Sequence, residues 1–315
     1  KKEMISGELD TKQKRVLPVL AAFAGVFTPA IVYYFAAGYM PEFRHGWGIP
    51  TATDIAFAIG VITMLGNMVS PAMKAFLAAL AVIDDLIAIV VIALFYGAGV
   101  NFMDLIAAAA VTGLLVYTNK QGYLRPLPYC VLGLVLWYLV LKSGVHATIA
   151  GVVLAMTIPF KGEVLDKVVY PMEEWAHALK NWVNFFIIPL FSFLNAGVSF
   201  ADFSMENLFH PVIIGVSLGL ILGKQLGIFS AVYILVQSKA IKMPTNTTWP
   251  EIYGTAILCG IGFTMSLFVA TLAFPPGITQ EMAKVGIFIG SIVAGLLGAV
   301  VLTLAYQIRK MRGKI

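Results

Sequence analysis

Four ionisable side chains lie where their neighbours are almost all apolar: Asp54, Asp84, Asp85 and Lys224. Asp84 and Asp85 sit inside Leu80-Ala81-Val82-Ile83-Asp84-Asp85-Leu86-Ile87-Ala88-Ile89, Asp54 follows Pro50-Thr51-Ala52-Thr53, and Lys224 lies in Leu222-Gly223-Lys224-Gln225-Leu226-Gly227. At the centre of a bilayer each charge costs about 2.5–3.5 kcal/mol on insertion scales. Four together cost on the order of 10 kcal/mol, comparable to the whole stability of a domain. Such groups have to be paired, protonated or hydrated. A purely structural bridge, of which Asp85–Lys224 is one candidate, neutralises a single carboxylate and leaves two over. Two acids near one another bind a hard cation through oxygen or exchange protons. Asp84 and Asp85 are consecutive on a helix and point about 100° apart, so they cannot share one task. One can face a cavity with Asp54 while the other turns to a lysine; the sequence leaves open which is which.

The elements that position these groups follow from composition. The chain has 315 residues, 60% hydrophobic and 12% charged, with mean hydropathy +0.90. Soluble domains carry about 25% charged residues. Half that load excludes an ordinary cytosolic enzyme, a disordered protein and a nucleic-acid-binding domain. The net charge is +5, yet the basic residues form no patch. They fall in short gaps between apolar runs, a signal of membrane topology. Cys130 and Cys259 offer neither a disulfide framework nor metal spacing.

A membrane helix needs about 20 mostly apolar residues. Ten segments are candidates: 16–37, 42–64, 71–96, 103–119, 126–141, 144–159, 171–198, 212–236, 251–274 and 281–307. Segment 144–159 is short, and 171–198 opens polar. The runs are continuous rather than alternating, which excludes barrel strands. Arg44, Lys142 and Lys284 fall on one side of this arrangement, Lys224 lies inside a span, and all other Lys and Arg fall at the ends and alternate loops. By the positive-inside rule that majority faces the cytoplasm, together with both ends of the chain. The chain starts at Lys1 rather than Met and carries no signal peptide, so it reads as the remainder of something longer.

Two spans read as interrupted. Pro50 lacks an N–H and disfavours helix at the residue before it, and Thr51 and Thr53 offer hydroxyls to freed backbone groups. Segment 42–64 is therefore expected as two half-helices with an extended break near Thr51–Asp54. In 251–274, Cys259-Gly260-Ile261-Gly262-Phe263-Thr264-Met265-Ser266 places two glycines and two hydroxyls mid-span; a second break competes there with close packing through small residues. Each candidate break lies in the middle helix of a three-helix group, 16–96 and 212–307. Corresponding broken helices in two halves point to the binding site of a secondary transporter. Seven spans, an odd number, separate matching elements, so the second group would have inverted topology. The expected fold is an all-α polytopic membrane protein with inverted three-helix repeats whose broken helices cross near the bilayer centre. Its parts are 1–15, the end of a truncated helix and a cytoplasmic loop; 16–96, the first repeat; 97–211, linking and interface helices; 212–307, the second repeat; and 308–315, a cytoplasmic tail. At the crossing Asp54 could offset the positive helix ends and Lys224 the negative ones.

These residues resemble the NhaA family of sodium/proton antiporters. The stretches that carry the likeness are Trp47–Ala58, Ala81–Leu86, Lys142–Thr148, Pro189–Val198, Gly223–Gly227 and Gly260–Ser266, in family order along the whole chain. The resemblance implies that Asp84 is the carboxylate at the bottom of a cytoplasmic funnel, binding Na⁺ or Li⁺ and a proton, and that Asp85 is its partner. It implies that Asp54 and Thr53 are the site residues on the first broken helix, and that Lys224 pairs with one acid and carries a transported proton. Pro50, Thr51, Gly260, Gly262 and Thr264 are its broken-helix elements. His146 matches a histidine of the pH response, though a helix-start residue at an interface explains it as well. A glutamate expected beside His177 is out of register here, with Glu173 and Glu174 close by, so that pH-response role attaches only loosely to Glu174 and His177. The family's upstream helix and its dimerising β-hairpin do not appear in this sequence, and an acidic pH-sensing residue at the funnel mouth would precede Lys1.

The implied activity is export of Na⁺ or Li⁺ in exchange for protons across a bacterial inner membrane, pH-activated and electrogenic. It needs no cofactor beyond the transported ions, and the implied partners are membrane lipid and a second copy of the chain, with no nucleic acid. Protons and Na⁺ compete for the acids, so Na⁺ loads when alkaline conditions free them. Two other readings stay open. Two membrane aspartates would suit an intramembrane aspartyl protease, although no Gly-x-Gly-Asp precedes either acid. The same fold could also move another substrate, such as an organic anion, although three acids favour a cation.

Overall fold

The computed structural model describes residues 12–97, 99, 101–164, 167–198, 205–244 and 247–311. Most of the stretch expected as the end of a truncated helix, and the last residues of the tail, lie outside the described residues. The chain divides into two compact units. One runs from Ile89 to Pro189; the other joins Ser6–Ala88 to Leu190–Ile315.

The larger unit contains α1 (Lys12–Tyr33), which continues through a wide π-type turn, Tyr34–Gly38. A 3₁₀ helix, Pro41–Thr51, follows, then α2 (Ile55–Met64) and the start of α3 (Pro71–Phe95). The first of the two expected half-helices is thus of 3₁₀ form. The segment PEFRHGWGIPT contains Gly46, Gly48 and Pro50, poor helix formers, and Pro50 cannot donate an i→i−4 bond. Helix α3 begins with Pro71 in its first turn, where the missing N–H costs nothing, and Ser70 Oγ accepts from Met73 N at 3.3 Å. Its 25 residues rise about 37 Å, enough to cross a hydrocarbon layer of about 30 Å.

In the smaller unit α4 (Phe102–Lys120), α5 (Pro126–Lys142) and α6 (Thr148–Thr157) pack around Leu115, Tyr129 and Leu136. A short antiparallel hairpin, β1 (Gly162–Val164) and β2 (Lys167–Val169), pairs Glu163 with Val168. Helix α7 (Pro171–Trp182) follows, and a π-type turn, Val183–Ile187, leads into α8 (Ile188–Asn195).

The larger unit, which resumes at Leu190 within α8, continues with α9 (Pro211–Leu218), a π-type turn over Gly219–Gly223, and α10 (Lys224–Gln237). Then come α11 (Trp249–Leu258), α12 (Phe263–Ala273) and the long α13 (Ile278–Met311). Helix α10 lies hard against α1: a Cβ on Gly223 would sit 2.6 Å from Pro29 Cα, so no larger residue fits beside Lys224. Leu77, Leu80, Ile228, Val232, Ile257 and Leu258 belong to the core of this unit.

All ten expected segments are helical. Among the described residues five single helices are long and apolar enough to span a membrane, and up to seven spans result if each bent pair counts as one. The remaining segments are the shorter Pro126–Lys142 and Thr148–Thr157 and the run from Pro171, whose first half holds Glu173, Glu174 and Lys180. Large apolar side chains such as Phe27, Leu94 and Leu296 point outward, as lipid-facing residues do.

Candidate functional site

Both expected breaks are present, and they meet. The 3₁₀ helix Pro41–Thr51 and α2 form one pair bent by 44°; α11 and α12 form another bent by 44°. In the first break Ala52 and Asp54 are extended, and Asp54 is the N-cap of α2, its Oδ1 accepting from Phe57 N at 3.1 Å. Thr51 Oγ1 donates back to Gly48 O at 2.7 Å, closing the end of the 3₁₀ helix. In the second break α11 stops at Leu258 and α12 starts at Phe263, with Cys259–Gly262 between them.

Hydrogen bonds tie one break to the other. Asp54 N donates to Ile261 O at 2.6 Å, and Thr53 Oγ1 to Cys259 O at 2.8 Å. Asp54 Oδ2 accepts from Thr264 N at 3.0 Å and from the Thr264 hydroxyl. Ser266 Oγ donates to Ile49 O at 2.7 Å. A broken helix leaves backbone groups without intrahelical partners, and in a membrane interior these must be satisfied by protein. The contact between the two breaks does this, each break supplying part of what the other lacks. Asp54 is 2% exposed and holds the N-termini of two helices, α2 and α12, where a negative charge is favoured.

Beside the joined breaks lies the charge pair, Thr53 reaching Asp84. Lys224 Nζ and Asp84 Oδ2 are 2.7 Å apart with both side chains fully buried. Lys224 opens α10 directly after the Gly219–Gly223 turn, a type of helix bulge common at functional positions. The partner of the lysine is thus Asp84, and the Asp85–Lys224 bridge considered from sequence is corrected. The rotation of α3 is the reason. Leu77, Leu80, Ala81, Asp84 and Ala88 recur at helical spacing and are all buried, whereas Asp85 turns onto a neighbouring face that is only partly buried. Asp85 stays within electrostatic reach of Asp84, Asp54 and Lys224, and Thr53 interacts with Asp84. Asp84 Oδ1 and Asp85 Oδ1 are buried with no hydrogen-bond partner. Buried polar atoms are normally paired, so these two oxygens are the natural acceptors for a proton or a hard cation.

Asp54, Thr53, Asp84, Asp85, Lys224, Gly260, Gly262 and Thr264 therefore come together in one unit. Among the described residues no three of His, Cys, Asp and Glu group closely enough to hold a metal by themselves. The available donors are carboxylates and threonine hydroxyls. His146, Glu174 and His177 belong to the other unit. His146 Nδ1 lies 2.9 Å from Thr148 Oγ1 at the start of α6, and Glu174 and His177 are exposed on α7.

Two buried polar residues escape the sequence reading. Ser291 reaches from α13 to the start of α12, its Oγ accepting from Gly262 N and Phe263 N; its only signal is a lone hydroxyl beside Gly290 in an apolar run. Glu251, at a span end where a charge is unremarkable, is 1% exposed. It closes a capping box with Thr248 and pairs with Arg309 at 3.3 Å.

The sequence family described as Na⁺/H⁺ antiporter 1 matches residues 1–302. A protein of Caulobacter vibrioides named Na(+)/H(+) antiporter NhaA is 47% identical over 306 residues, covering 96% of this chain and 74% of that protein. Proteins of the same name from Mesorhizobium japonicum and Pseudomonas putida are 48% and 46% identical, each over 97% of this chain and 78% of their own length.

Proposed function

The chain belongs to the Na⁺/H⁺ antiporter family of NhaA proteins, a membrane transporter rather than an enzyme, and from that premise we propose that exchange runs through Asp84, Asp85, Asp54, Thr53 and Lys224. The observation that carries this reading is the fully buried Lys224–Asp84 pair beside an Asp85 oxygen that has no partner. In the proton-loaded site Lys224 is an ammonium bound to Asp84, and Asp85 carries a proton. Na⁺ or Li⁺ arrives at Asp85 as that proton leaves. Lys224 then gives up its own proton and releases Asp84, which becomes the second carboxylate on the ion, with Thr53 as a hydroxyl donor.

The charges of these groups give the sign of the exchange. With Na⁺ bound, two carboxylates, a neutral lysine and one cation sum to one negative charge. With protons bound, one carboxylate, one neutral acid and one ammonium sum to zero. Two protons thus replace one Na⁺, and each cycle moves one net charge. The membrane potential drives it with about 2.3 kcal/mol per charge for every 100 mV. Competition for the same oxygens makes the exchange pH-activated, because protons displace Na⁺ when they are abundant.

Alternating access would come from two inverted three-helix repeats, 16–96 and 212–307, around the crossing. The protein would sit in a bacterial inner membrane with both ends of this chain cytoplasmic, following the Lys/Arg distribution. It would pair as a homodimer, with His146, Glu174 and His177 acting in the pH response. Reconstituted protein tests the site. A pH gradient across proteoliposomes should collapse on adding Na⁺ or Li⁺ but not K⁺, increasingly toward alkaline pH, and Asp84→Asn should abolish the response. Full antiport by folded Asp84→Asn protein would remove Asp84 from the mechanism.

A further inference from the structure

Helix α12 begins without a side-chain cap of its own. Its N-cap is Gly262, and an α-helix leaves its first N–H groups without intrahelical partners. Two residues from other elements supply what is missing. Ser291 Oγ, on α13 and 7% exposed, accepts from Gly262 N at 3.2 Å and Phe263 N at 3.1 Å. The next N–H, of Thr264, goes to Asp54 Oδ2 at 3.0 Å. The positive end of α12 is thus shared between a neutral hydroxyl and the Asp54 carboxylate.

We propose that Ser291 is a positioning residue for Na⁺/H⁺ exchange: it occupies the two leading N–H groups of α12, so that Asp54 is not drawn further onto that helix end and keeps its charge set toward Asp85. The inference rests on the reading of Asp54 as part of the ion site. Without the hydroxyl, Gly262 N and Phe263 N lose their acceptor at a helix end whose next N–H, of Thr264, is already held by the Asp54 carboxylate. A carboxylate engaged by three N–H groups attracts a cation less than one engaged by a single N–H at that end. The backbone oxygens of the second break, Cys259 O and Ile261 O, are held by Thr53 and Asp54, so a shift of Asp54 would also loosen the crossing.

The test measures apparent KM for Na⁺ and maximal antiport rate in proteoliposomes, for the parent, Ser291→Ala, Ser291→Thr and Asp54→Asn. Ser291→Ala is expected to raise KM about fivefold, the size of one lost cap, with a maximal rate close to the parent's. Ser291→Thr, which keeps the hydroxyl, should restore KM. If Ser291→Ala leaves KM unchanged while Asp54→Asn weakens Na⁺ binding, the role of Ser291 is overturned and the site reading stands. If Asp54→Asn leaves KM unchanged, the site reading falls and the inference falls with it. Lower thermal stability of Ser291→Ala with an unchanged KM reduces Ser291 to packing and overturns the proposal. Should the alanine variant fail to fold, Ser291→Cys, similar in size but a weaker acceptor, carries the same comparison.

Discussion

Removing Lys224 should damage the protein more than removing the whole charge pair. Lys224 and Asp84 are fully buried and 2.7 Å apart. Asp84 Oδ1 has no hydrogen-bond partner, so much of that carboxylate's compensation comes from the lysine. Breaking a buried pair by deleting one partner costs about 3–5 kcal/mol, whereas replacing both by well-packed hydrophobic residues of similar volume is often neutral. Lys224→Met keeps the volume and strands a carboxylate; Asp84→Leu, close in volume, strands an ammonium. Each single variant is expected to unfold on the order of 10 °C lower than the parent in detergent at neutral pH. The double variant should lie within about 1 kcal/mol of the parent, a non-additivity as large as the single losses. Antiport distinguishes the pair's two duties, because the double variant, though stable, should transport nothing. Thermal unfolding of the four proteins decides it. If the double variant lost the sum of the two single effects, or if neither single variant lost stability, the buried bridge would not be what holds α3 to α10.

Three further expectations follow from other parts of the larger unit. Glu251→Gln should retain the capping box with Thr248 and lose only the ion pair with Arg309, so it should cost less than Glu251→Ala, which loses both and about 1 kcal/mol or more for the cap alone, read as thermal stability. Gly260→Ala would drive a methyl against Leu220 O and to 3.0 Å from the Ala294 Cβ, an overpacking expected to cost about 1–3 kcal/mol; a thermally neutral variant would mean the break has room the geometry denies. Burial holds the His210 imidazole below its ordinary 6.5 against a weaker upward pull from Glu42, and its Nδ1 caps α9 by accepting from Val212 N at 3.3 Å. The unfolded chain therefore binds this proton more readily, so the contribution is present above pH 6.5 and is lost as pH falls through the lower folded value. His210→Asn should keep a cap and flatten that acid limb of the stability profile.

The apolar runs, the misplaced charges and the two breaks were legible in the sequence because each reflects a local cost. An uncompensated charge in hydrocarbon is expensive wherever it sits along a helix, so Asp54, Asp84, Asp85 and Lys224 identify themselves without coordinates. Pro50 removes a donor, and paired glycines such as Gly260 and Gly262 let other chains come close, so the breaks could be located from residue types alone. The 3₁₀ form of Pro41–Thr51 was harder to see, since the hydropathy of a span does not report the winding of its backbone.

What remained depends on how helices are turned toward one another. Whether Asp84 or Asp85 meets Lys224 is a rotation of about 100°, decided by the buried face on which Leu77, Leu80, Ala81 and Ala88 join Asp84. Ser291 is one hydroxyl in a long apolar helix until the start of α12 is placed beside it, and Glu251 is an ordinary helix-end acid until Arg309, 58 residues later, reaches it. The sequence determined which groups could not be left alone in a membrane. Only tertiary structure decided which partner each one has, because a partner more than a hundred residues away, as Asp84 is from Lys224, is set by packing and not by spacing.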